Sequence, residues 1–305
     1  ENSFLDNQGG AFGASWIGER WRAGISWAAY DSDYGIPGAH HQHEEADVEE
    51  HEEGHEDEEE ELVTVGLESR RWDAEVVGTE PFAGFEQLKF RYANTDYTHT
   101  EFEGDQIGTV FDSNTDDLRL ELRHSPWGRW SGAFGLQYTE VDFRAEGDEA
   151  FVPPSNTETG ALFWVESVEF DRWQLDLGFR YEDIDVTALE LLEEHGHDDE
   201  GDEHDEHEGE SAKRSFNPFS ISAGAIWHVT DTSHLTFNLS RAERAPTAQE
   251  LYSLGPHIAS QTFEIGDSQL KEESNTHLEA GYRIHGERLS ASFILYADWF
   301  DDFIY

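Results

Sequence analysis

Cysteine is absent from all 305 residues, and so is methionine. The first absence excludes a disulfide framework, a thiolate metal site and a cysteine nucleophile. Together they remove the soft sulfur ligands that copper(I) selects. The missing initiator methionine fits a chain processed at its N-terminus, or a piece of a longer one. No run of 18 apolar residues occurs, so no helix is expected to cross a bilayer, and no secretion signal opens the chain. Positive charge is also scarce. Nineteen Lys and Arg face 68 Asp and Glu, for a formal net charge of −49. Such a chain repels phosphate backbones and attracts cations, which excludes nucleic acid as a partner.

What is abundant is histidine among carboxylates. The tract from His40 to Glu61 holds five histidines and thirteen acids, and that from Glu190 to Glu210 holds four and twelve. Nine of the sixteen histidines fall there: His40, His41, His43, His51, His55, His195, His197, His204 and His207. A solvated charge run would keep a loop soluble without any histidine. Neutral imidazole in a field of carboxylates is instead a ligand set for zinc when no thiolate is offered. His51-Glu52-Glu53-Gly54-His55 also fits the HExxH pattern of zinc proteases. That chemistry needs a packed helix with an apolar wall, which Gly54 and unbroken acids do not supply.

Outside the tracts the hydrophobic period is two. Leu118, Leu120 and Leu122 alternate with charged residues, as do Leu175, Leu177, Phe179 and Tyr181 with Gln174, Asp176, Gly178 and Arg180. This patterning predicts about twelve strands: 11–18, 21–30, 62–73, 84–97, 116–124, 130–143, 160–170, 172–186, 215–229, 234–242, 275–285 and 289–300. Connections after odd strands are mostly short. Those after even strands are long: 31–61, 98–115, 144–159, 187–214 and 243–274. Sorting of turns and loops to opposite ends is the signature of an antiparallel up-and-down transmembrane β-barrel. Trp21, Trp72, Trp127, Trp130 and Trp173 are expected at the short-turn end, as an interfacial girdle. Both His-rich tracts lie in long loops, at 31–61 and 187–214, which in such barrels face outside.

The stretch LSRAERAPTAQELYSLGPH (Leu239 to His257), followed by FEIGDSQLKEESNTHLEAGYR (Phe263 to Arg283), resembles a TonB-dependent outer-membrane receptor. The carriers are Arg244-Ala245-Pro246 with Glu250-Leu251-Tyr252, Gly266-Asp267 with Leu270-Lys271-Glu273, and Glu279-Ala280-Gly281. Glu272 replaces a proline common in the family. YGIPG (Tyr34 to Gly38), leading into a His-rich loop, and YTHTEFEGDQIGTVF (Tyr97 to Phe111) are similar to the zinc-uptake branch. The resemblance implies a bacterial outer-membrane receptor, not an enzyme, in which residues 1–305 form part of a barrel of 22 strands. It also implies a plug domain and C-terminal strands outside this sequence, energisation by the TonB complex through that plug, and contact with outer-membrane lipid, including lipopolysaccharide. Zinc is expected as transported ligand rather than catalytic cofactor. The alternatives are a haem or siderophore receptor of the same family, or a surface protein that sequesters metal without moving it.

A flexible loop binds metal loosely, because ordering it costs about 1–2 kcal/mol per residue. Import therefore requires a second, preformed site. Leu88, Phe90 and Tyr92 are expected to face lipid, which puts Tyr97, His99, Glu101 and Glu103 on the lumen face. His99 and Glu101, two residues apart, can both reach one ion. By the resemblance, the loop containing Gly255-Pro256-His257 lines the same chamber, adding His257 and Glu264 as candidates.

Overall fold

A computed structural model of the chain describes residues 2–40, 62–104, 106–147, 150–189, 191, 211–257, 262–286 and 288–305. Twelve strands follow one another in a single antiparallel sheet: β1 (Leu5–Ile17), β2 (Trp21–His40), β3 (Leu62–Thr79), β4 (Phe85–Glu103), β5 (Gln106–His124), β6 (Trp130–Gly147), β7 (Ser155–Glu169), β8 (Trp173–Ala188), β10 (Phe219–Thr230), β11 (Ser233–Arg244), β14 (Glu273–His285) and β15 (Ser290–Asp301). A short strand, β9 (Ala212–Phe216), adds to β8. The connection after β11 carries a helix, α1 (Ala248–Tyr252), and a small hairpin of β12 (Leu254–His257) and β13 (Thr262–Ile265). All twelve strands expected from the period-two pattern are present, in up-and-down order.

The register explains the alternation. Phe90, Leu120, Leu136, Leu162, Tyr181 and Phe219 fall in one cross-strand row, and all six are exposed. A row of exposed large apolar side chains suits lipid rather than water. The opposite face, one residue along each strand, is polar. There Arg71 pairs with Asp73 at 2.8 Å, Arg180 with Glu182 at 2.7 Å, and the Arg119 guanidinium lies 4.1 Å from the Phe163 ring centre.

Several expectations need correction: of the expected loops, residues 31–40 continue β2, and 144–147 and 155–159 belong to β6 and β7. Residues 98–103 and 106–115 are not loop: β4 and β5 run on as a paired hairpin to a turn at Gly104, whose φ is 57°. Once the strands rise above the apolar band, both faces meet polar surroundings, and the period-two contrast that marks a half-buried strand fades. Trp72 is likewise not at the short-turn end. β3 continues to Thr79, so Trp72 sits in the row of Trp27 and Asn94, at the upper edge of the band. Trp21, Trp127, Trp130 and Trp173 do lie beside short turns, joined by Trp16 and by Trp227, which stacks on Trp173 at 5.2 Å.

Candidate metal site on the inward face

The upper part of the polar face is roofed by its own loops. Residues 150–153 turn inward, and Phe151 and Val152 pack with Phe111 and Ala145. The connection after β11 also folds inward. Leu251 and Tyr252 bury themselves against Val186, Ala188 and Phe216, which places α1 over β8 and β9. Local chemistry shapes this connection. Thr247 caps α1 in a capping box with Glu250. The Glu250 carboxylate also takes both guanidinium nitrogens of Arg244 at 2.9 Å each, and Arg244 reaches Glu273 at 3.4 Å. Burial pushes the Glu250 carboxyl up, but the hydrogen bonds from Arg244 and the Thr247 backbone outweigh it and leave it below the usual glutamate range.

The two roofing loops are tied together. The Leu254 amide donates to the Phe151 carbonyl at 2.8 Å, and Gly255, with φ of 155°, brings the backbone against Phe151. A Cβ at Gly255 would approach the Phe151 Cβ to 3.0 Å in a conformation that L-residues avoid. Between this roof and the inward face of β6–β8 lies a cavity of about 490 Å³, bounded by Phe143, Thr157, Ile184 and Arg244 to Gln249.

His99 and Glu101 stand on the inward face beside this roof. Register puts His99 between Leu67 and Phe111, and Glu101 between Val65 and Thr109. Val65, Thr109 and Phe111 are buried, so the pair rises from a packed floor. The His99 ring stacks on Phe111, centroids 4.5 Å apart and planes 24° from parallel. Its Nδ1 is 3.3 Å from the Tyr97 hydroxyl, and its Nε2 is 3.8 Å from Glu101 Oε1. Both side chains stay partly open, at 24% and 15% exposure. Two ligands on one tetrahedral zinc, with bonds of about 2.1 Å, stand about 3.4 Å apart. The His99–Glu101 gap is therefore too long for a hydrogen bond and close to what an ion would bridge.

The other expected residues divide. Glu264 pairs in register with Gly255 and accepts a hydrogen bond from the Gln249 side chain at 2.7 Å, which anchors it to the α1 connection. The backbone of His257 ends β12, paired with Thr262, and that of His40 ends β2; their side chains lie outside the described part. His41, His43, His51, His55, His195, His197, His204 and His207 fall outside the described residues altogether. Among the described residues, no group of three or more His, Asp or Glu side chains converges on one point. The path from the His99 pair to the β12–β13 hairpin is nonetheless continuous: His99 on Phe111, Phe111 edge-on to Phe151 at 6.4 Å, and Phe151 bonded to Leu254.

Sequence reasoning missed one constellation. His124 is fully buried on the outward face, its Nε2 2.9 Å from Glu166 Oε1, which also accepts the Trp164 indole N–H at 3.1 Å. The 125–129 turn folds Trp127 over it, rings stacked at 4.0 Å. Gly132 lies between the two strands, and a Cβ there would come within 2.6 Å of Glu166 Cδ. A glycine inside strand patterning, opposite a histidine that ends a leucine series, was the available signal.

A family model described as "TonB dependent receptor-like, beta-barrel" matches residues 5–305. Among solved structures, one titled "Copper transporter OprC" superimposes with a TM-score of 0.73 at 15% identity, over 99% of this chain and 46% of that one. The Serratia marcescens hemophore receptor HasR, in complex with HasA and heme, gives 0.69 at 10% identity, over 97% and 46%. The ferric citrate transporter FecA, unliganded, gives 0.60 at 14%, over 98% and 44%. The chain thus spans under half the length of these structures, and at such identities they report its fold alone.

Proposed function

The chain belongs to the TonB-dependent receptor β-barrel family of the bacterial outer membrane, a family of receptors and transporters rather than enzymes, and on that premise we propose that it captures zinc and passes it inward. The His/acid tracts after β2 and β8 raise the local concentration of the dication. His99 and Glu101 hold one ion tightly, with His257 and Glu264 on the roofing hairpin as further ligands. Import draws on the TonB complex, and the outward apolar rows sit in outer-membrane lipid.

The observation that carries this reading is the open 3.8 Å gap between His99 Nε2 and Glu101 Oε1, on a rigid floor, partly exposed and shielded from lipid. Imidazole and carboxylate suit zinc, and ligands held by strands lose little ordering entropy on binding. The lack of Cys and Met disfavours copper(I) as cargo.

Competition against a zinc chelator of known affinity tests the division of labour. Replacing the nine tract histidines with Ser should lower the number of bound ions and leave one tight site. His99→Ala with Glu101→Ala should do the reverse, weakening the tight site by more than about a hundredfold. Collapsing the proton-motive force should abolish zinc uptake by cells while leaving surface binding intact. A double variant that still holds one zinc as tightly as the parent refutes the site.

A further inference from the structure

We propose that His228 and His234 form a second, weaker seat for a divalent transition-metal ion, on the inward face at the short-turn end. That binding is independent of His99 and Glu101; its role as an exit station rests on the reading that zinc is passed inward.

The two histidines stand on either side of the short turn between β10 and β11 and face each other directly in register. Their neighbours Trp227 and Leu235 continue the outward alternation that starts at Phe219, so both imidazoles project inward. The rings lie 6.0 Å apart, centre to centre, with planes at 55°. Two imidazoles on one tetrahedral ion, with bonds of about 2.1 Å, hold their ring centres roughly 5.3 Å apart. A modest turn of the exposed His228 side chain closes the difference.

What singles out this pair is its unmet valence. His99, His124, His277 and His285 each have a polar partner. Neither ring of the His228–His234 pair makes a hydrogen bond or ion pair among the described residues. Imidazole nitrogens suit zinc and its transition-metal neighbours, whereas calcium and magnesium take oxygen ligands. A route also leads to the pair. Above it the inward face opens a groove of about 610 Å³, lined by small and polar side chains such as Asp176, Ser222, Thr236 and Asn238. Thr236 stands two residues from His234 on the same face of β11. Glycine keeps the groove open: a Cβ at Gly178 would come within 2.6 Å of the Ser222 hydroxyl oxygen. The seat is weak because no carboxylate completes it among the described residues, and Arg283 stands opposite His234 in register. Passage requires a site that holds an ion and then lets it leave.

The test uses the intact receptor in detergent, with the nine tract histidines replaced by Ser and with His99→Ala and Glu101→Ala in place. Copper(II) serves as the paramagnetic probe and zinc as its competitor. The resonance spectrum should show one bound ion with two imidazole nitrogens, and zinc should displace it. His228→Ala and His234→Ala should each lose that signal at an unchanged unfolding temperature, whereas His285→Ala should keep it. In cells, with His99 and Glu101 intact, the His228→Ala, His234→Ala double variant should still bind one zinc tightly but import it several-fold more slowly. Copper held by fewer than two imidazoles in the parent, or a signal that survives either substitution, would overturn the seat. Uptake unaffected by the double change would overturn its role in transit. Failure of the tight site shows separately, in zinc affinity that persists after His99→Ala with Glu101→Ala alone.

Discussion

Two histidine–carboxylate pairs occupy opposite faces of this wall. His124 and Glu166 stand 2.9 Å apart on the outward face, 0% and 3% exposed, closed over by Trp127. His99 and Glu101 stand 3.8 Å apart on the inward face, and both remain reachable. The side-chain chemistry is the same, yet the first pair has no room for an ion and the second has no hydrogen bond between its two members to lose. In the closed pair His124 Nε2 and Glu166 Oε1 satisfy each other, with the Trp164 indole also on Oε1, while Glu166 Oε2 stays buried without a hydrogen-bond partner, so the pair's worth is structural. In an open pair the unmet valence is available to a ligand. A third pair, His277 and Asp298, shows that distance matters separately from exposure: at 27% and 29% it is more exposed than the His99 pair, yet already closed at 2.8 Å.

The comparison breaks most sharply if the closed pair is opened. His124→Ala leaves the Glu166 carboxyl buried without its main partner and a void beneath Trp127. It should cost about 3 kcal/mol or more of stability. It should leave zinc affinity unchanged, because the pair lies on the opposite face of the wall from His99 and Glu101. Denaturant unfolding of the detergent-solubilised protein, paired with zinc competition, reads both quantities. Loss of zinc binding at native stability would show that the two faces are coupled and that the contrast drawn here is false.

A smaller effect sharpens the inward side. Glu250 is held below the usual glutamate range and helps pin the α1 connection through Arg244 and Thr247. A depressed carboxyl pKa contributes stability above the unfolded value and loses it as pH falls through the folded one. Hydrogen exchange across residues 243–274 should therefore stay slow near neutrality and speed up only as pH drops below the ordinary carboxylate range. The β-ladder amides, once corrected for intrinsic exchange rates, should not follow. Glu250→Gln should speed exchange of the connection at neutral pH, and much less at low pH.

The strands were legible because half-buried wall alternates: Leu118 to Leu122 and Leu175 to Tyr181 carry the period without ambiguity. Legibility failed where lipid ended. Between Thr98 and Thr115 the outward positions mix Thr98, Thr100, Asp112 and Asn114 with Phe102, Ile107 and Val110, so β4 and β5 read as loop although they are paired, apart from the turn and a bulge at Gly108. Trp72 was misplaced for a different reason: after it, the outward positions of β3 within the band are Ala74, Val76 and Gly78, too small for the alternation to stand out. Parity alone put His99 and Glu101 on one face, and the register agrees. What parity could not supply was the neighbour across the strand. Phe111 under the imidazole and Val65 and Thr109 beside Glu101 depend on register, which a sequence states only where one face is buried. His124 and Glu166 were hidden by their distance along the chain, 42 residues, and by Gly132, whose role is visible only once β5, β6 and β7 are side by side.

The central claim is that the gap between His99 and Glu101 is a seat for zinc. A crystal of the intact receptor soaked in zinc, measured on both sides of the zinc absorption edge, locates the ion directly. Expected is an anomalous peak within about 2.0–2.2 Å of both His99 Nε2 and a Glu101 oxygen, with Tyr97 still against Nδ1. Zinc bound elsewhere on the inward face, with that gap empty, would contradict it.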